Sequence, residues 1–268
     1  MMARFGVHLF PMPSPPIFVI SLPTAAERRA FMHRQLQSLN LPYEIVDAVH
    51  GAKSPDHALF GRYNDGKRAR RRGPDASLRL SQLGCFASHY LLWERCVELE
   101  EPIIVLEDDA IVLPEFMAFY QHAERFADGY GLVWLQPSRK ARRQAGQVLE
   151  HIGPFAIKKF AKGFSGTTGY LLTPRAARLL LDYSVEWLYP VDNTMDRFFE
   201  HKVEAIGLDP VCITQDDDFE SSINIPDAGS RRCLADSLRR EAYSLKDAAA
   251  RNWHNLSFAV RSRLGLRR

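Results

Sequence analysis

The stretch IIVLEDDAIV, residues 103–112, places three consecutive acids directly after four branched apolar residues. Such a run of Ile, Val and Leu is typical of a strand that is buried on both faces, as in a parallel sheet. Side chains alternate along a strand, so Glu107 and Asp109 are expected to point to one side and Asp108 to the other. The stretch therefore predicts a pair of carboxylates at the carboxyl end of a buried strand.

Two carboxylates this close repel each other unless a cation lies between them. Hard oxygen ligands favour Mg²⁺ or Mn²⁺, and such an ion would neutralise a diphosphate group. Glu107 and Asp109 are therefore the candidate metal ligands. The alternative is that these acids cap the following helix or form a solvated turn.

Short apolar runs and helical patterns alternate on both sides of this strand. Together they predict an α/β fold with a mostly parallel central sheet covered by helices, in which ligands bind at the carboxyl ends of the strands. Residues 51–80 and 137–147, which are rich in turn-forming and basic residues, are predicted to be loops. The predicted strands are 17–22, 43–49, 102–106, 131–135, 167–173 and 206–214, and the predicted helices are 24–40, 81–100, a segment that starts at Pro114, 174–184 and 191–203.

The positive charge of the chain is concentrated near its C-terminal end. Residues 231–268 contain ten Lys or Arg and three Asp or Glu, so this segment carries a formal charge of +7, whereas residues 1–230 carry −4. We expect a flexible leader at 1–15, a single α/β domain at 16–228 and a basic helical tail at 229–268. One helical face of the tail has an apolar row that would either pack on the domain or rest on an anionic membrane surface; the row consists of Trp253, Leu256, Val260 and Leu264.

Composition excludes several classes of protein. With 268 residues, of which 46% are hydrophobic and 25% charged, the chain can bury a sizeable core and is not disordered. No stretch approaches the roughly 20 apolar residues of a membrane-spanning helix, and the N-terminal segment is a poor secretion signal. The four cysteines contain no CxxC pair, which favours reduced thiols. A cytoplasmic localisation is therefore expected.

Six separated segments resemble, in order and spacing, glycosyltransferase family 25, which contains bacterial lipooligosaccharide galactosyltransferases and collagen hydroxylysine galactosyltransferases. The resemblance covers roughly residues 16 to 225 and implies a GT-A-like fold, a nucleotide-sugar donor that is usually UDP-galactose, a divalent metal and inversion at the anomeric carbon. The chain departs from the family pattern at Gln82, where the family tends to have Glu. The segments are IFVISLPTAAERR (17–29), LGCFASHYLLW (83–93), PIIVLEDDAIV (102–112), GTTGYLLTPRAARLLL (166–181), YPVDNTMDRFF (189–199) and QDDDFESSI (215–223).

An inverting transfer needs a carboxylate base that faces the anomeric carbon and takes the proton of the attacking hydroxyl. A general acid is not needed on the other side, because a metal at Glu107 and Asp109 stabilises the charge of the leaving diphosphate. Asp192 is the first candidate for the base, and Asp217 is the alternative. Asp192 also suits an ordinary helix N-cap, so both interpretations stay open.

The remaining candidates concern donor binding, and each has a plain structural alternative. Ser88 would let a phosphate or ribose approach, or would only permit close helix packing. His89 would contact the donor, or would be a hydrogen-bonded core histidine. Glycines suit close approach to a sugar but also mark a bulge, and Gln215 suits a turn as well as a pocket. The residues assigned to donor binding are Ser88, His89, Glu107, Asp108, Gly166, Thr168, Gly169 and Gln215.

Two other functions compete with sugar transfer. A two-metal phosphodiesterase would use residues 107–109 together with 216–218. A nucleic-acid-binding protein would use KRARRR at 67–72, RKARR at 139–143 and the tail. These basic runs lack interleaved aromatic residues for base stacking, so no nucleic-acid partner is expected. The favoured function is transfer from a UDP-sugar to a lipid-linked or oligosaccharide acceptor of lipooligosaccharide or lipopolysaccharide synthesis, in the cytoplasm, with the tail on the inner face of the membrane.

Overall fold

The computed structural model describes residues 14–137, 146–215 and 234–265, with the side chains of the last segment from residue 237 onward. This part of the chain forms a mixed α/β fold. The strands are β1 (Ile17–Ser21), β2 (Tyr43–Asp47), β3 (Ile103–Glu107), β4 (Ala110–Val112), β5 (Leu132–Trp134), β6 (Gln147–Ile152), β7 (Phe155–Lys159), β8 (Gly169–Leu172), β9 (Ile206–Asp209) and β10 (Ile213–Gln215). The helices are α1 (Ala26–Ser38), α2 (Asp65–Arg72), α3 (Leu80–Leu99), α4 (Glu115–Gln121), α5 (Ala123–Gly129), α6 (Pro174–Tyr183), α7 (Val191–Met195), α8 (Phe198–His201) and α9 (Leu234–Arg263), and a 3₁₀ helix spans Ala58–Arg62.

An eight-stranded sheet lies at the centre of the described residues, in the order β2-β1-β3-β8-β5-β9-β7-β6, and β10 pairs with β4 separately. β1 is parallel to β2 and β3, and β5 is parallel to β9, whereas β7 and β8 are antiparallel to their neighbours. Within the described sheet, six of eight strands thus point the same way, but only three of seven neighbouring pairs are parallel. The prediction of a mostly parallel sheet holds for β2-β1-β3 and needs correction at β8, which runs antiparallel between β3 and β5.

The side chains of β3 alternate between two hydrophobic cores, one on each face of the sheet. Ile103 and Val105 belong to the core that α3 and α6 complete, whereas Ile104 and Leu106 belong to the core that α1, α4 and α5 complete. All four are fully buried, and each such side chain contributes about 1.5–3 kcal/mol to folding. The alternation places the side chain of Glu107, the last residue of the strand, on the α3 face.

The segment 51–80 is not simply the loop that its composition predicts. The side chain of Asn64 caps α2 by accepting a hydrogen bond from a backbone N–H at 2.8 Å. From within α2, Arg68 donates to the carbonyl of Leu188 at 2.8 Å. The basic run 67–72 therefore lies on a helix that is attached to the rest of the fold.

Two short helices, α7 and α8, replace the single helix predicted at 191–203. α7 ends at Met195, and the buried guanidinium of Arg197 lies at the junction with α8. This guanidinium donates to Glu200 of α8 and to Asp247 of α9, with the shortest distance to each equal to 2.7 Å. The break therefore places a cation where it joins the two short helices to the C-terminal helix.

The C-terminal helix α9 packs on the body of the protein through polar side chains. His254 lies 2.9 Å from Glu204, and Asp247 binds Arg197 as described above. The hypothesis that the apolar row of α9 packs on the domain is wrong, because its members are 48% to 71% exposed: Trp253, Leu256, Val260 and Leu264. Although α9 has 30 residues, neither it nor any other described helix combines the length and apolar character needed to cross a membrane.

Candidate active site

A chain of buried hydrogen bonds ends at Glu107. The indole N–H of Trp93 lies 3.1 Å from the hydroxyl of Tyr170, and this hydroxyl lies 2.9 Å from Nδ1 of His89. Because an indole only donates, the tyrosine oxygen accepts from it. At the other end of the chain a carboxylate only accepts, so Nε2 of His89 donates to Oε1 of Glu107 at 3.0 Å. Both ring nitrogens of the histidine are used in orienting the carboxylate.

The hydroxyl of Thr167 donates a second hydrogen bond to Glu107. Burial alone would raise the pKa of this carboxyl, but the hydrogen bonds from His89 and Thr167, together with the charge interactions with His89 and Arg28, outweigh it and lower the pKa below its ordinary value. Glu107 is therefore a charged carboxylate that two donors fix in place. His89 is the hydrogen-bonded core histidine of the two interpretations, and its contact with a donor molecule stays a prediction.

Asp109, two residues further along, is only half satisfied. Its Oδ2 accepts from the amide of Gln215 at 2.9 Å, whereas its Oδ1 is buried without a hydrogen-bond partner among the described residues. Burial and the nearby charge of Glu107 raise the pKa of Asp109 to about 6. A buried carboxylate oxygen without a donor is costly unless a cation accompanies it.

Asp108 points to the opposite face, so the three acids alternate as the sequence predicts. The hydroxyl of Ser21, at the end of β1, donates to Oδ2 of Asp108 at 2.6 Å. Arg28, in the first turn of α1, donates to Oδ1 at 3.2 Å. Both oxygens of Asp108 thus have donors within the fold, and the prediction that Asp108 binds the donor molecule stays untested.

The pair Glu107 and Asp109 suits a hard divalent cation. The two side chains are near enough for the charge of one to raise the pKa of the other, and the unpartnered Oδ1 is a free oxygen ligand. A second compact group places ligand atoms of Cys85, His89 and Glu107 within 4.8 Å of one another. Burial raises the pKa of the Cys85 thiol well above its usual value, and the imidazole nitrogens are occupied, so this group is less suited to a metal.

Asp192 lies in the first turn of α7, but it is not the N-cap of that helix. Pro190 occupies the N-cap position, so the capping alternative is wrong. Oδ2 of Asp192 lies 3.4 Å from the backbone nitrogen of Gly166, and Oδ1 accepts from the amide of Asn193 at 3.1 Å. These contacts aim the carboxylate toward the loop that precedes β8, next to Thr167.

The charges of three carboxylates affect one partly buried thiol, that of Cys85. Burial is the main reason that the pKa of Cys85 is raised, and the charges of Glu107, Asp192 and Asp109 each add to it. Glu107 is the last residue of β3 and Asp109 follows it, whereas Asp192 comes from α7. The candidate metal ligands and the candidate base are therefore grouped around one volume at the carboxyl end of β3.

Different structural requirements account for the two glycines of the motif at 166–169. Gly166 has a φ of 78°, in the left-handed region that favours glycine. At Gly169 a Cβ would lie 2.3 Å from Cδ1 of Ile213, so close packing of β8 accounts for this residue. Thr168 is buried, and its carbonyl accepts from the backbone N–H of Glu107 at 2.9 Å. Donor contacts of all three stay predictions, and Gly166 is the best placed for one.

Ser88 and Gln215 already have partners within the fold. The hydroxyl of Ser88 donates to the carbonyl of Gly84 at 2.8 Å and accepts from the backbone N–H of Val49 at 2.9 Å. A Cβ at Gly84 would lie 2.4 Å from the carbonyl oxygen of Val49, so small residues on this face of α3 permit close packing. Gln215 orients Asp109, which gives it a place beside the candidate metal ligands.

Sequence reasoning missed three polar residues of the site. Thr167 and Tyr170 belong to the hydrogen-bond network of Glu107, and Gln136 donates to the carbonyl of Gly166 at 2.9 Å. The signal for Thr167 was its position inside the motif at 166–169, whereas the other two have no local signal. The alternative base Asp217, with its neighbours at 216 and 218, lies outside the described residues.

Comparison with known proteins shows which family this chain resembles. The family model described as glycosyltransferase family 25 (LPS biosynthesis protein) matches residues 14–195. A glycosyltransferase 25 family member of Anopheles gambiae is 30% identical over 198 residues, which are 69% of this chain and 32% of the mosquito protein. The lacto-N-neotetraose biosynthesis glycosyltransferase LgtB of Neisseria gonorrhoeae is 30% identical over 208 residues, 72% of this chain and 70% of that protein.

The lipooligosaccharide biosynthesis protein lic2B of Haemophilus influenzae is 27% identical over 237 residues, 78% of this chain and 79% of that protein. The matched part of the chain thus corresponds to about a third of the mosquito relative and to most of the two bacterial ones. A solved structure of a putative glucose-1-phosphate thymidylyltransferase from Bacillus anthracis matches 70% of this chain and 84% of its own, with 12% identity and a TM-score of 0.35, which is too low to support an inference.

Proposed function

The chain belongs to glycosyltransferase family 25, and we propose that it transfers galactose from UDP-galactose to a lipooligosaccharide or lipopolysaccharide acceptor with inversion. The observation that carries the proposal is the unpartnered oxygen of Asp109 beside the charged Glu107, in one group with Asp192. The names of the two bacterial relatives support the acceptor class. Galactose is the sugar that the resemblance to this family implies.

The metal would be Mn²⁺ or Mg²⁺, held by Glu107 and Asp109. When bound, such an ion stabilises the negative charge of a leaving diphosphate. His89 and Thr167 keep Glu107 charged and oriented before any ion arrives, so little reorganisation is needed. Gln215 holds one oxygen of Asp109 and leaves the other available to an ion.

Asp192 is proposed as the base that takes the proton from the acceptor hydroxyl. The contacts from Gly166 and Asn193 hold its two oxygens in a defined direction, as a base that must meet an incoming hydroxyl requires. Gly166, whose backbone nitrogen faces Asp192, directly precedes Thr167, which donates a hydrogen bond to Glu107. A sugar that approaches this loop would therefore meet the base and the metal pair together.

A GT-A-like fold with a domain at 16–228 is part of the proposal. The unit β2-β1-β3 is parallel, has helices on both faces and ends in the acid cluster, which is the arrangement in which α/β folds bind nucleotides. The leader at 1–15 and the tail at 229–268 complete the proposed division of the chain.

Peripheral attachment to the inner face of the cytoplasmic membrane is proposed for α9. Its exposed apolar row has Arg261 and Arg263 in the last turn, and each basic residue near an anionic surface contributes about 1 kcal/mol. A lipid-linked acceptor would be presented there. Trp253→Gln/Leu256→Gln should bind anionic vesicles several-fold more weakly in a sedimentation assay at low salt, whereas Val185→Gln/Leu91→Gln, exposed elsewhere, should not. Equal binding of all three proteins would refute the attachment.

The enzymatic proposal is tested with a panel of UDP-sugars. The full chain is freed of metal with a chelator, and release of UDP from UDP-galactose, UDP-glucose and UDP-N-acetylglucosamine is measured with and without Mn²⁺ or Mg²⁺. We expect metal-dependent release that is fastest with UDP-galactose. Release that is absent, or that a chelator leaves unchanged, contradicts the proposal.

A phosphodiesterase substrate serves as the opposing arm of the same experiment. Bis(p-nitrophenyl) phosphate should not be cleaved by the metal-loaded protein. Cleavage of this compound without turnover of any UDP-sugar would assign the acid cluster to phosphodiester hydrolysis.

A further inference from the structure

A polar cleft of about 270 Å³ lies between α2, α7 and α9, and its lining does not include the acids at 107–109. Its lining contains five arginines and three acidic residues, so positive charge is in excess. The arginines are Arg71, Arg72, Arg197, Arg240 and Arg251. The fold thus gathers guanidinium groups from three different helices or their junctions around one concave surface.

Across the residues that the structure describes, only one of these arginines is neutralised by ion pairs. Arg197 is held by Glu200 and Asp247, as described for the junction of α7 and α8. Arg71 instead donates to the hydroxyl of Tyr189 at 2.8 Å and has no ion pair with a carboxylate in the described part of the chain. A phenol orients a guanidinium without cancelling its charge.

The other three arginines lie against aromatic rings or in solvent. Arg72 is centred 5.3 Å from the ring of Tyr189, and Arg251 is 5.1 Å from the ring of Phe199. Nε of Arg251 is buried without a hydrogen-bond partner among the described residues. Arg72 and Arg240 are exposed and form no ion pair within the described ranges. Guanidinium groups held by ring faces keep their donors for an external anion.

The cleft adjoins the candidate base through a single residue. Asn193 lines the cleft, and its amide donates to Oδ1 of Asp192. The other oxygen of Asp192 faces Gly166, on the side of Glu107 and Thr167. The cleft and the candidate reaction centre therefore meet at the carboxylate that is proposed to receive the acceptor hydroxyl.

We propose that this cleft is an acceptor subsite that binds an anionic group, a phosphate or a carboxylate, carried by the glycan near the hydroxyl that is glycosylated. The inference rests on the proposed transfer function and adds the charge of its acceptor. Guanidinium groups recognise both anions through paired hydrogen bonds, so the cleft selects for the anion rather than for a neutral sugar. Attachment of α9 to the body explains the ion pairs of Arg197 but not the exposed positions of Arg72 and Arg240, which form no ion pair in the described residues.

The test measures binding of small sugars by saturation-transfer NMR to the full chain, saturated with UDP and Mg²⁺ so that the donor phosphate sites are filled. The probes are glucose 6-phosphate, glucuronate and neutral glucose. At least one of the two anionic sugars should bind at least about tenfold more tightly than glucose, and which one it is distinguishes phosphate from carboxylate. Arg72→Gln/Arg240→Gln should weaken that binding about tenfold or more.

The matched control is Arg95→Gln/Arg125→Gln, which removes the same charge from exposed positions of α3 and α5. It should bind the anionic sugar like the natural protein. Metal-dependent UDP release from the donor should be the same in both double variants, because the cleft does not touch the metal pair. If the natural protein shows no metal-dependent release of UDP, the proposed transfer function is refuted, whereas the anion-binding role of the cleft is not.

Equal binding of charged and neutral sugars, or unchanged binding in Arg72→Gln/Arg240→Gln, overturns the inference. The inference also fails if the cleft variant loses only its binding to anionic vesicles while no sugar anion binds, since the anion would then be a lipid headgroup.

Discussion

At the carboxyl end of β3, the acids at 107–109 have different partners on the two faces of the sheet. On the α1 face, Asp108 has a donor on each oxygen, and one of these donors is the permanent cation Arg28. On the α3 face, Glu107 accepts hydrogen bonds from His89 and Thr167, while Asp109 keeps a buried oxygen without a described partner. The ion pair with Arg28 makes Asp108 part of the fold, whereas the proposed metal ion would provide the missing partner of Asp109 on the second face.

The largest effect is expected at the proposed base, Asp192. Asp192→Asn should lower the rate of sugar transfer about 10²- to 10⁴-fold, because a general base contributes that much to such a step. Binding of UDP should stay within about twofold in calorimetry, because a base acts on the acceptor and not on the donor. The control is Asp182→Asn, an exposed acid of α6. If Asp192→Asn loses UDP binding, or transfers sugar normally, the base lies elsewhere and Asp217 becomes the residue to test.

The next largest effect on activity is expected for Glu107 and Asp109, on the α3 face of the sheet. Asp109→Asn and Glu107→Gln should each lower transfer by about 100-fold or more, since the proposed metal would supply several kcal/mol of charge stabilisation and 1.36 kcal/mol is tenfold in rate. Both variants should keep the circular dichroism spectrum of the natural protein. A rate within about threefold of the natural protein in both variants would remove the metal assignment.

Asp108→Asn should lower the stability of the protein rather than its activity. It removes the charge that pairs with Arg28 and should lower the free energy of unfolding by about 1–3 kcal/mol, measured by urea denaturation. Ser21→Ala, which removes only the neutral donor, should cost about 0.5–1.5 kcal/mol. Unchanged stability in both variants would show that the contacts of Asp108 with Ser21 and Arg28 do not stabilise the end of β3.

The pH dependence of stability should have opposite signs at Glu107 and Asp109. The pKa of Asp109 is raised from 3.8 to about 6, so the metal-free folded protein binds an extra proton between these values. Its unfolding free energy should therefore fall by up to about 2 kcal/mol as the pH rises from about 4 to about 6. The pKa of Glu107 is lowered, so its contribution is present above its ordinary pKa of 4.5 and is lost as the pH falls further.

The contribution of Asp109 is isolated by subtracting the curve of Asp109→Asn from that of the natural protein, both in chelator. The difference should change between pH 4 and 6, and saturating Mn²⁺ should remove it. Parallel curves would mean that Asp109 is not held in a costly environment.

The sequence predicts the acid cluster well because the information there is local. Four apolar residues define the strand, and its two-residue period assigns Asp108 to one face and its neighbours to the other. The sequence also indicates Asp192 as a candidate base, but it does not exclude the alternative that Asp192 is a helix N-cap. The structure excludes that alternative, because Pro190 occupies the N-cap position. The partners of Glu107 were not predictable, because Tyr170 lies 81 residues from the histidine it contacts.

The sheet was predicted less well in its second half. The hairpin of β6 and β7 was missed because half-exposed positions interrupt the apolar pattern of an edge. β8 reads as an apolar strand, but a run of apolar residues does not tell whether it is parallel or antiparallel. The helix predicted at 191–203 breaks because Arg197 is drawn into a tertiary ion-pair network that no local pattern encodes.

Calorimetric titration of Mn²⁺ into the chelator-treated protein, in the presence of UDP, tests the difference between the two faces most directly. The natural protein and Asp108→Asn should bind Mn²⁺ with affinities within a few-fold of each other, whereas Asp109→Asn and Glu107→Gln should bind it about 100-fold more weakly or not at all. Natural affinity in Asp109→Asn, or a loss confined to Asp108→Asn, would contradict the account.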